Sequence, residues 1–183
     1  KKIITLLLSL SMFASLTNAQ SLDLTSTAGF SIDPSLDTLN SVVDAVGVTF
    51  SGSDFGGTIS GGWASAIDLS DWASETSAFV LGSMTSAPTS NFSIQLFDTS
   101  FETFDLSGGS WTNILSANSD ELSLDSGTAG FDWTNVQYID INTGGLGDTV
   151  AGTISSIVVP EPSTYALLAG FAAFLFVAIR RRK

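Results

Sequence analysis

Several short stretches of the chain place an apolar residue at every second position. Phe92, Ile94 and Leu96 alternate with Asn91, Ser93 and Gln95, and Val46, Val48 and Phe50 alternate with polar or small neighbours. A period of two is the mark of a strand with one face in the core and one in water. Ser77 to Gly82 is a continuous apolar run around Phe79, Val80 and Leu81, as a more deeply buried strand would be. Clusters of Gly, Ser, Asp and Asn, such as Ser51 to Gly57, punctuate these runs. Phe101 to Leu106 is predicted to pair with the Phe92 strand as a hairpin across Asp98-Thr99-Ser100. Ile67 to Leu69, Trp111 to Leu115, Glu121 to Leu124, Val136 to Ile141 and Thr149 to Val159 complete the set. Roughly nine short strands predict an all-β sandwich of the jelly-roll kind. Asp37 to Val46 departs from the pattern: Leu39, Val42, Val43 and Val46 have helical spacing, although a strand is expected at its end.

Two longer apolar runs flank this region. Ile3 to Leu16 follows Lys1-Lys2 and precedes Thr17-Asn18-Ala19, which sets Thr17 and Ala19 at the −3 and −1 positions of a signal peptidase site. Cleavage after Ala19 is expected, with an uncleaved anchor as the alternative. At the other end, Pro160-Glu161-Pro162 precedes the 17 residues Ser163 to Ile179, then Arg180, Arg181, Arg182 and Lys183. Such a run makes about 25 Å of helix, marginal for a bilayer. The basic cluster acts as a stop-transfer signal. The predicted organisation is therefore a signal peptide over 1–19, an acidic β-sandwich ectodomain over 20–159, and a membrane-directed tail with a transmembrane helix over 160–183.

Charge follows the same partition. All six basic residues lie in the flanking segments, whereas 17 of the 18 acids lie between Gln20 and Val159, a stretch without Lys, Arg or His. That excess repels nucleic acid, whose binding depends on basic side chains at phosphates, and suits a translocated, soluble domain. Basic ends around an acidic centre also satisfy the positive-inside rule.

The absence of whole residue types removes whole chemistries. No cysteine means no disulfide framework, although about 140 residues suffice for one apolar core. Without His, Cys or Lys in the central region there is no Ser-His or Cys-His nucleophile, no Schiff base and no ordinary zinc site. Carboxylates remain. A glycosidase needs only two, but no pair among Glu75, Glu102, Glu121 and the aspartates stands out. No catalytic residue and no cofactor is therefore expected. Structural calcium is the one metal the composition allows, with Asp68 and Asp71, Asp98 and Asp105, or Asp140 and Asp148 as ligand pairs. Gly144 to Asp148 reads as a turn. The four tryptophans, Trp63, Trp72, Trp111 and Trp133, are expected in the core rather than on a sugar-stacking surface.

The segment Val159-Pro160-Glu161-Pro162-Ser163-Thr164, the run through Ala166, Leu167, Leu168, Gly170 and Phe174, and the Arg-rich cluster together resemble the PEP-CTERM sorting signal of Gram-negative-type bacteria. The resemblance implies that Pro160, Glu161 and Pro162 are the recognition element for an exosortase, a membrane protease-transpeptidase with a catalytic cysteine. It implies export across the inner membrane, transient or lasting membrane association, and a host that makes exopolysaccharide. A plain C-terminal anchor is the alternative. Within the ectodomain, Phe92 to Asp98, Phe131 to Ile141 and Gly152 to Ile157 resemble jelly-roll domains of the galactose-binding and carbohydrate-binding-module type, in which an Asp-x-x-Asn-Val element, here Asp132 to Val136, precedes a penultimate strand.

Two functions follow as expectations. The first is a non-catalytic cell-surface or matrix protein, processed by signal peptidase and exosortase, associated with exopolysaccharide or biofilm and binding glycan. The second is a small secreted carbohydrate-active enzyme using a carboxylate pair. Two carboxylates facing each other across an aromatic-lined cleft would favour the enzyme.

Overall fold

A computed structural model describes residues 20–52, 57–143 and 149–159. Thr17 and Ala19, Pro160 to Pro162, Arg180 to Lys183 and the turn expected over Gly144 to Asp148 lie outside the described residues, as do the expected signal peptide and the expected transmembrane helix. Among the described residues no helix is long and apolar enough to cross a membrane.

The regular elements of the described residues are eleven strands, one short α-helix and two 3-10 turns, Ser26–Ala28 and Ser70–Ser74. The strands are β1 (Gln20–Asp23), β2 (Phe30–Ile32), β3 (Val42–Val43), β4 (Val48–Gly52), β5 (Thr58–Ile67) and β6 (Ser77–Ser86). After them come β7 (Asn91–Asp98), β8 (Thr103–Ser110), helix α1 (Trp111–Ala117), β9 (Ser119–Gly127), β10 (Val136–Asn142) and β11 (Val150–Val159). One ribbon of neighbours runs β2-β5-β10-β7-β8-β9-β6-β11-β4-β3, with β1 also against β11. The described registers are antiparallel throughout. Most neighbours are distant in sequence, as in a jelly roll, where the chain crosses repeatedly between layers.

Long-range contacts show that the ribbon is rolled. Trp63 on β5 donates its Nε1–H to the Asp23 carbonyl at 3.0 Å, joining one end of the ribbon to β1 beside β11. Phe50 on β4 and Phe92 on β7 both pack on Trp111, with ring centroids 5.6 and 4.3 Å away. The half β2-β5-β10-β7-β8 therefore lies over the half β9-β6-β11-β4-β3. The inward phase of the alternation fills the space between them. Phe92, Ile94 and Leu96 of β7, Ile139 and Ile141 of β10, Ile154 and Ile157 of β11, and Val48 and Phe50 of β4 are all buried. Truncating such a side chain to alanine costs about 2–5 kcal/mol.

Three local expectations are corrected. Trp111 to Leu115 forms the start of α1, not a strand. Trp111 and Ile114, three apart, are its buried residues, and Asn118 ends it in a left-handed conformation (φ 59°) with its N–H on the Ile114 carbonyl. The buried Asp120 carboxylate accepts from the Ser110 N–H and from Asn113 Nδ2, tying the helix start to β9. These tertiary bonds override the weak helix propensity of Trp, Thr, Asn and Ile. Asp37 to Val46 contains no helix. Asp37 instead accepts from the N–H groups of Leu39 and Ser41, and only Val42–Val43 is regular, as strand β3. Lastly, the strand expected at Ile67 to Leu69 ends at Ile67: β5 runs from Thr58 through Gly61 and Gly62 to Ile67, and Leu69 leads into a 3-10 turn over Ser70–Ser74. Strands β1 and β2 are additions whose shortness hides any period.

Candidate functional site

The outer face of β2-β5-β10-β7-β8 carries a cleft of about 580 Å³. Its construction begins with register. Ser31, Gly62, Tyr138 and Phe97 stand side by side on four neighbouring strands. Gly62 lacks a side chain where Tyr138 needs room: a Cβ there would come within 2.7 Å of the Tyr138 ring and of the Gln137 carbonyl. On the other side of the same strand, a Cβ on Gly61 would strike the buried Phe30 ring at 2.5 Å. The glycine pair thus lets β5 pass between an inner and an outer aromatic ring.

Phe101 completes the cleft from the β7–β8 turn. Its ring stacks on Tyr138 with centroids 5.4 Å apart and planes 5° apart, yet Phe101 is 69% exposed and Tyr138 36%. Phe101 has φ 63°, a region that a bulky residue enters only when its surroundings impose it. Asp98, buried at the end of β7, is what imposes it. One carboxylate oxygen accepts the N–H groups of Ser100 and Glu102 at 2.8 and 3.0 Å, and the other accepts that of Asp132 at 2.9 Å. The Phe101 N–H closes the turn on the Asp98 carbonyl, and the Thr99 N–H reaches the Asn135 carbonyl. A buried carboxylate therefore holds a strained turn that presents an exposed ring.

Acids stand beside the rings. Asp140, two positions along β10 from Tyr138, sits in a row with Ser60, Gln95 and Asp105. Asp33, just after β2, donates its N–H to the Ser60 carbonyl, so Asp33 and Asp140 border the cleft on either side of Ser60. The Ser35 hydroxyl, and then its N–H, bond the Asp33 carboxylate at 2.6 and 2.9 Å and hold its pKa below the usual carboxylate value. A smaller polar hollow of about 340 Å³ continues along the same face. There Gln95 Nε2 donates to Asp105 at 2.7 Å and the Ser107 hydroxyl donates to Asp125. Cross-strand pairing of Asp140 with Gln95 makes the two hollows neighbours on one band.

Most residues singled out from the sequence lie elsewhere. Trp63 is buried and borders the floor of the cleft, whereas Trp72 and Trp111 are buried away from it and Trp133 is half-buried in a cluster with Phe104 and Phe131. Among the described residues no group of three or more carboxylates is placed to hold a metal ion. Of the expected calcium ligands, Asp98 is committed to three backbone N–H groups, and Asp68 is bonded to the Ser70 N–H, which lowers its pKa. The Asp132-to-Asn135 element is a turn closed on itself. The Asn135 amide and then Thr134 bond the Asp132 carboxylate and depress its pKa. Phe101 and Tyr138 were not among the candidate site residues. The available signal was an aromatic on the polar phase of a strand: Tyr138 alternates with buried Ile139 and Ile141 in step with Asp140 and Asn142.

Residues 158–183 match the PEP-CTERM protein-sorting motif. The chain thus carries the tail of an exported protein held at the membrane through its C-terminal region and then processed by an exosortase. Search of curated proteins by sequence finds no match. Among solved structures, the chain is similar to an agarase, AgWH50C, at 10% identity and TM-score 0.49, over 77% of this chain and 25% of the agarase. This chain therefore spans about a quarter of the agarase's length. It is also similar to the family 11 carbohydrate-binding module from Clostridium thermocellum, solved in complex with a beta-1,3-1,4-mixed-linked tetrasaccharide. That likeness has 13% identity and TM-score 0.39, over 79% of this chain and 90% of the module.

Proposed function

We propose that this is a non-catalytic glycan-binding protein of the cell surface or extracellular matrix, delivered by the exosortase route and bound to the polysaccharide made around the cell. The single observation that carries the reading is the exposed, stacked pair Phe101 and Tyr138 above Gly62, with carboxylates and an amide beside it. Large apolar rings are left in water at a cost, and the Phe101 backbone conformation adds to it. Flat exposed rings offer apolar faces to the C–H side of a pyranose, and the neighbouring Asp140, Gln95 and Asp105 offer hydrogen-bond acceptors and a donor for its hydroxyls.

The enzyme reading has one observation in its favour, since Asp33 and Asp140 border one aromatic cleft. It asks for a proton donor, and a general acid needs a raised pKa. The hydrogen bonds from Ser35 push Asp33 the other way. Binding without turnover is therefore the better-supported reading.

The test is affinity electrophoresis of the protein through polysaccharide-loaded gels, with Tyr138→Ala and Phe101→Ala beside the parent. Retardation by at least one polysaccharide, lost in both variants without release of reducing ends, supports the reading. Reducing ends that appear with the parent and vanish with Asp140→Asn would replace it with the enzyme. For the delivery route, the mass of the mature protein from hosts with and without an exosortase is the measurement, and an Arg-rich terminus intact in both would refute it.

A further inference from the structure

We infer that the glycan class taken by this cleft is one bearing protonated amino groups, a chain of amino sugars with free amines, rather than a neutral or uronate polymer. This rests on the glycan-binding reading above and adds the charge of the ligand. The aromatic pair and the carboxylates share one cleft: Phe101 and Tyr138 stack in parallel, and Asp33 and Asp140 border the same space. Asp105 follows Asp140 along the band, beyond Gln95.

Nothing in the domain neutralises these acids. Between Gln20 and Val159 the chain has no Lys, Arg or His, so no ion pair within that stretch can occupy them. Asp33 stays ionised well into the acid range because Ser35 bonds the charged form. The hydrogen bonds available to Asp105 and Asp125 are from a neutral amide and a neutral hydroxyl. A uronate or sulfated chain entering this band would meet like charge at every step. A neutral sugar would have to desolvate a carboxylate for an uncharged hydroxyl. An ammonium group gains both Coulomb attraction to the carboxylates and attraction to the negative face of an aromatic ring.

Each contact is partly solvated, so each is worth a modest factor. Exposed charge pairs and exposed cation–π contacts contribute about two- to fivefold apiece in affinity. An oligomer that places amines along the band should multiply them. The dependence on pH is two-sided. Binding is lost as pH rises and the sugar amines deprotonate, and it is lost at low pH as the carboxylates protonate. The lowered pKa of Asp33 extends the acid limit downward.

The experiment is isothermal titration of the full-length chain in mild detergent with three oligosaccharides of equal length: glucosamine, N-acetylglucosamine and galacturonate. Asp140→Asn, Tyr138→Ala and Glu121→Gln are the variants. Glu121 is an exposed acid on β9 that does not line the cleft, so its loss reports general attraction to an acidic surface. The expected result is a preference for the glucosamine oligomer of about tenfold or more, weakened by added salt. Asp140→Asn should lower it two- to fivefold, Tyr138→Ala should lower it further, and Glu121→Gln should leave it unchanged. Equal or tighter binding of the acetylated or uronate oligomer, still sensitive to Tyr138→Ala, overturns the amine preference and leaves the glycan-binding reading intact. Glucosamine binding insensitive to Tyr138→Ala but weakened equally by both acid-to-amide variants overturns the site, because the surface charge alone then accounts for it. No binding of any oligomer overturns both.

Discussion

The two outer faces of the sandwich follow the same alternation and carry opposite chemistry. On β4, β6 and β11 the outward row is Thr49, Thr153 and Ser83, followed by Ser51 and Ala151, with Thr85 beside them around a hollow of about 340 Å³. These three strands contain no charged residue. Their hydroxyls satisfy one another or the backbone, as Thr49 does with Thr153 at 3.0 Å and Thr85 with the Ala151 carbonyl at 3.3 Å. On β10, β7 and β8 the outward positions include Tyr138, Asp140, Phe97, Gln95 and Asp105, backed by the strained turn at Phe101. A hydroxyl ladder that satisfies itself needs no ligand. Exposed rings beside uncompensated carboxylates leave interactions unused, and a built turn maintains them. This difference is why the proposed binding site is placed on one of two similar sheets.

The largest expected effect is at Asp98. Asp98→Ala would orphan the N–H groups of Ser100, Glu102 and Asp132 and release the Phe101 turn, and we expect a loss of about 2–4 kcal/mol in chemical denaturation. Asp98→Asn keeps the shape but turns a donor toward one of these N–H groups, so it should fall between alanine and the parent. A change below about 0.5 kcal/mol in Asp98→Ala would mean that the turn holds itself, and the contrast between the faces would lose its main structural support.

Next comes the floor of the cleft. Gly62→Val would drive a side chain into the space of the Tyr138 ring and the Gln137 carbonyl. It should abolish glycan retardation and cost about 1–3 kcal/mol in stability, as overpacking does. Thr153→Ala and Ser83→Ala on the opposite face should leave retardation unchanged and stability within about 0.5 kcal/mol. Retardation lost in the Ser83→Ala protein would move the binding site to the hydroxyl face.

A smaller effect concerns ionic strength. Seventeen acids between Gln20 and Val159 with no basic residue repel one another in the compact state, and salt screens that repulsion. Melting temperature should therefore rise from low to moderate sodium chloride. Millimolar calcium that stabilises no more than sodium chloride of equal ionic strength would exclude a specific calcium site, because mass action adds to screening only when the ion binds the native state.

The smallest effect lies at acid pH. Asp33, Asp68 and Asp132 have pKa values depressed by hydrogen bonds from Ser35, from Ser70, and from Asn135 and Thr134 respectively. A group with a depressed native pKa stabilises the fold above its unfolded value, here near 3.8, and that stabilisation disappears as pH falls through the native pKa. Stability should accordingly decline below about pH 4. The triple amide variant D33N/D68N/D132N should start lower at pH 6 and show a shallower decline. A parent-like slope in that variant would assign acid unfolding to other carboxylates.

Much of the fold was legible because strand alternation is a local property. Phe92, Ile94 and Leu96 are buried as their period requires, and the hairpin across Asp98 to Ser100 pairs β7 with β8. Trp111 misled because its segment has strand-like residues, and the bonds that make it helical come from Asp120, nine positions on, and from its packing between Phe50 and Phe92. Strand β5 was legible only at Ile67 to Leu69, because the glycines Gly61 and Gly62 before it carry no apolar period. Their purpose is visible only when Phe30 and Tyr138 are seen on either side.

By itself the sequence determined the sorting motif of the tail, the segregation of charge, the lack of His, Cys and Lys in the centre, and the all-β class. These depend on residue type and short-range period. The tertiary structure alone decided which sheet face would carry rings and acids together. Ser31, Gly62, Tyr138 and Phe97 come from strands separated by tens of residues, and antiparallel register sets them in one row. A one-residue slip of β10 would have turned Tyr138 and Asp140 into the core and brought Ile139 and Ile141 out. The burial of those isoleucines selects the register that leaves Tyr138 and Asp140 at the surface beside each other's partners.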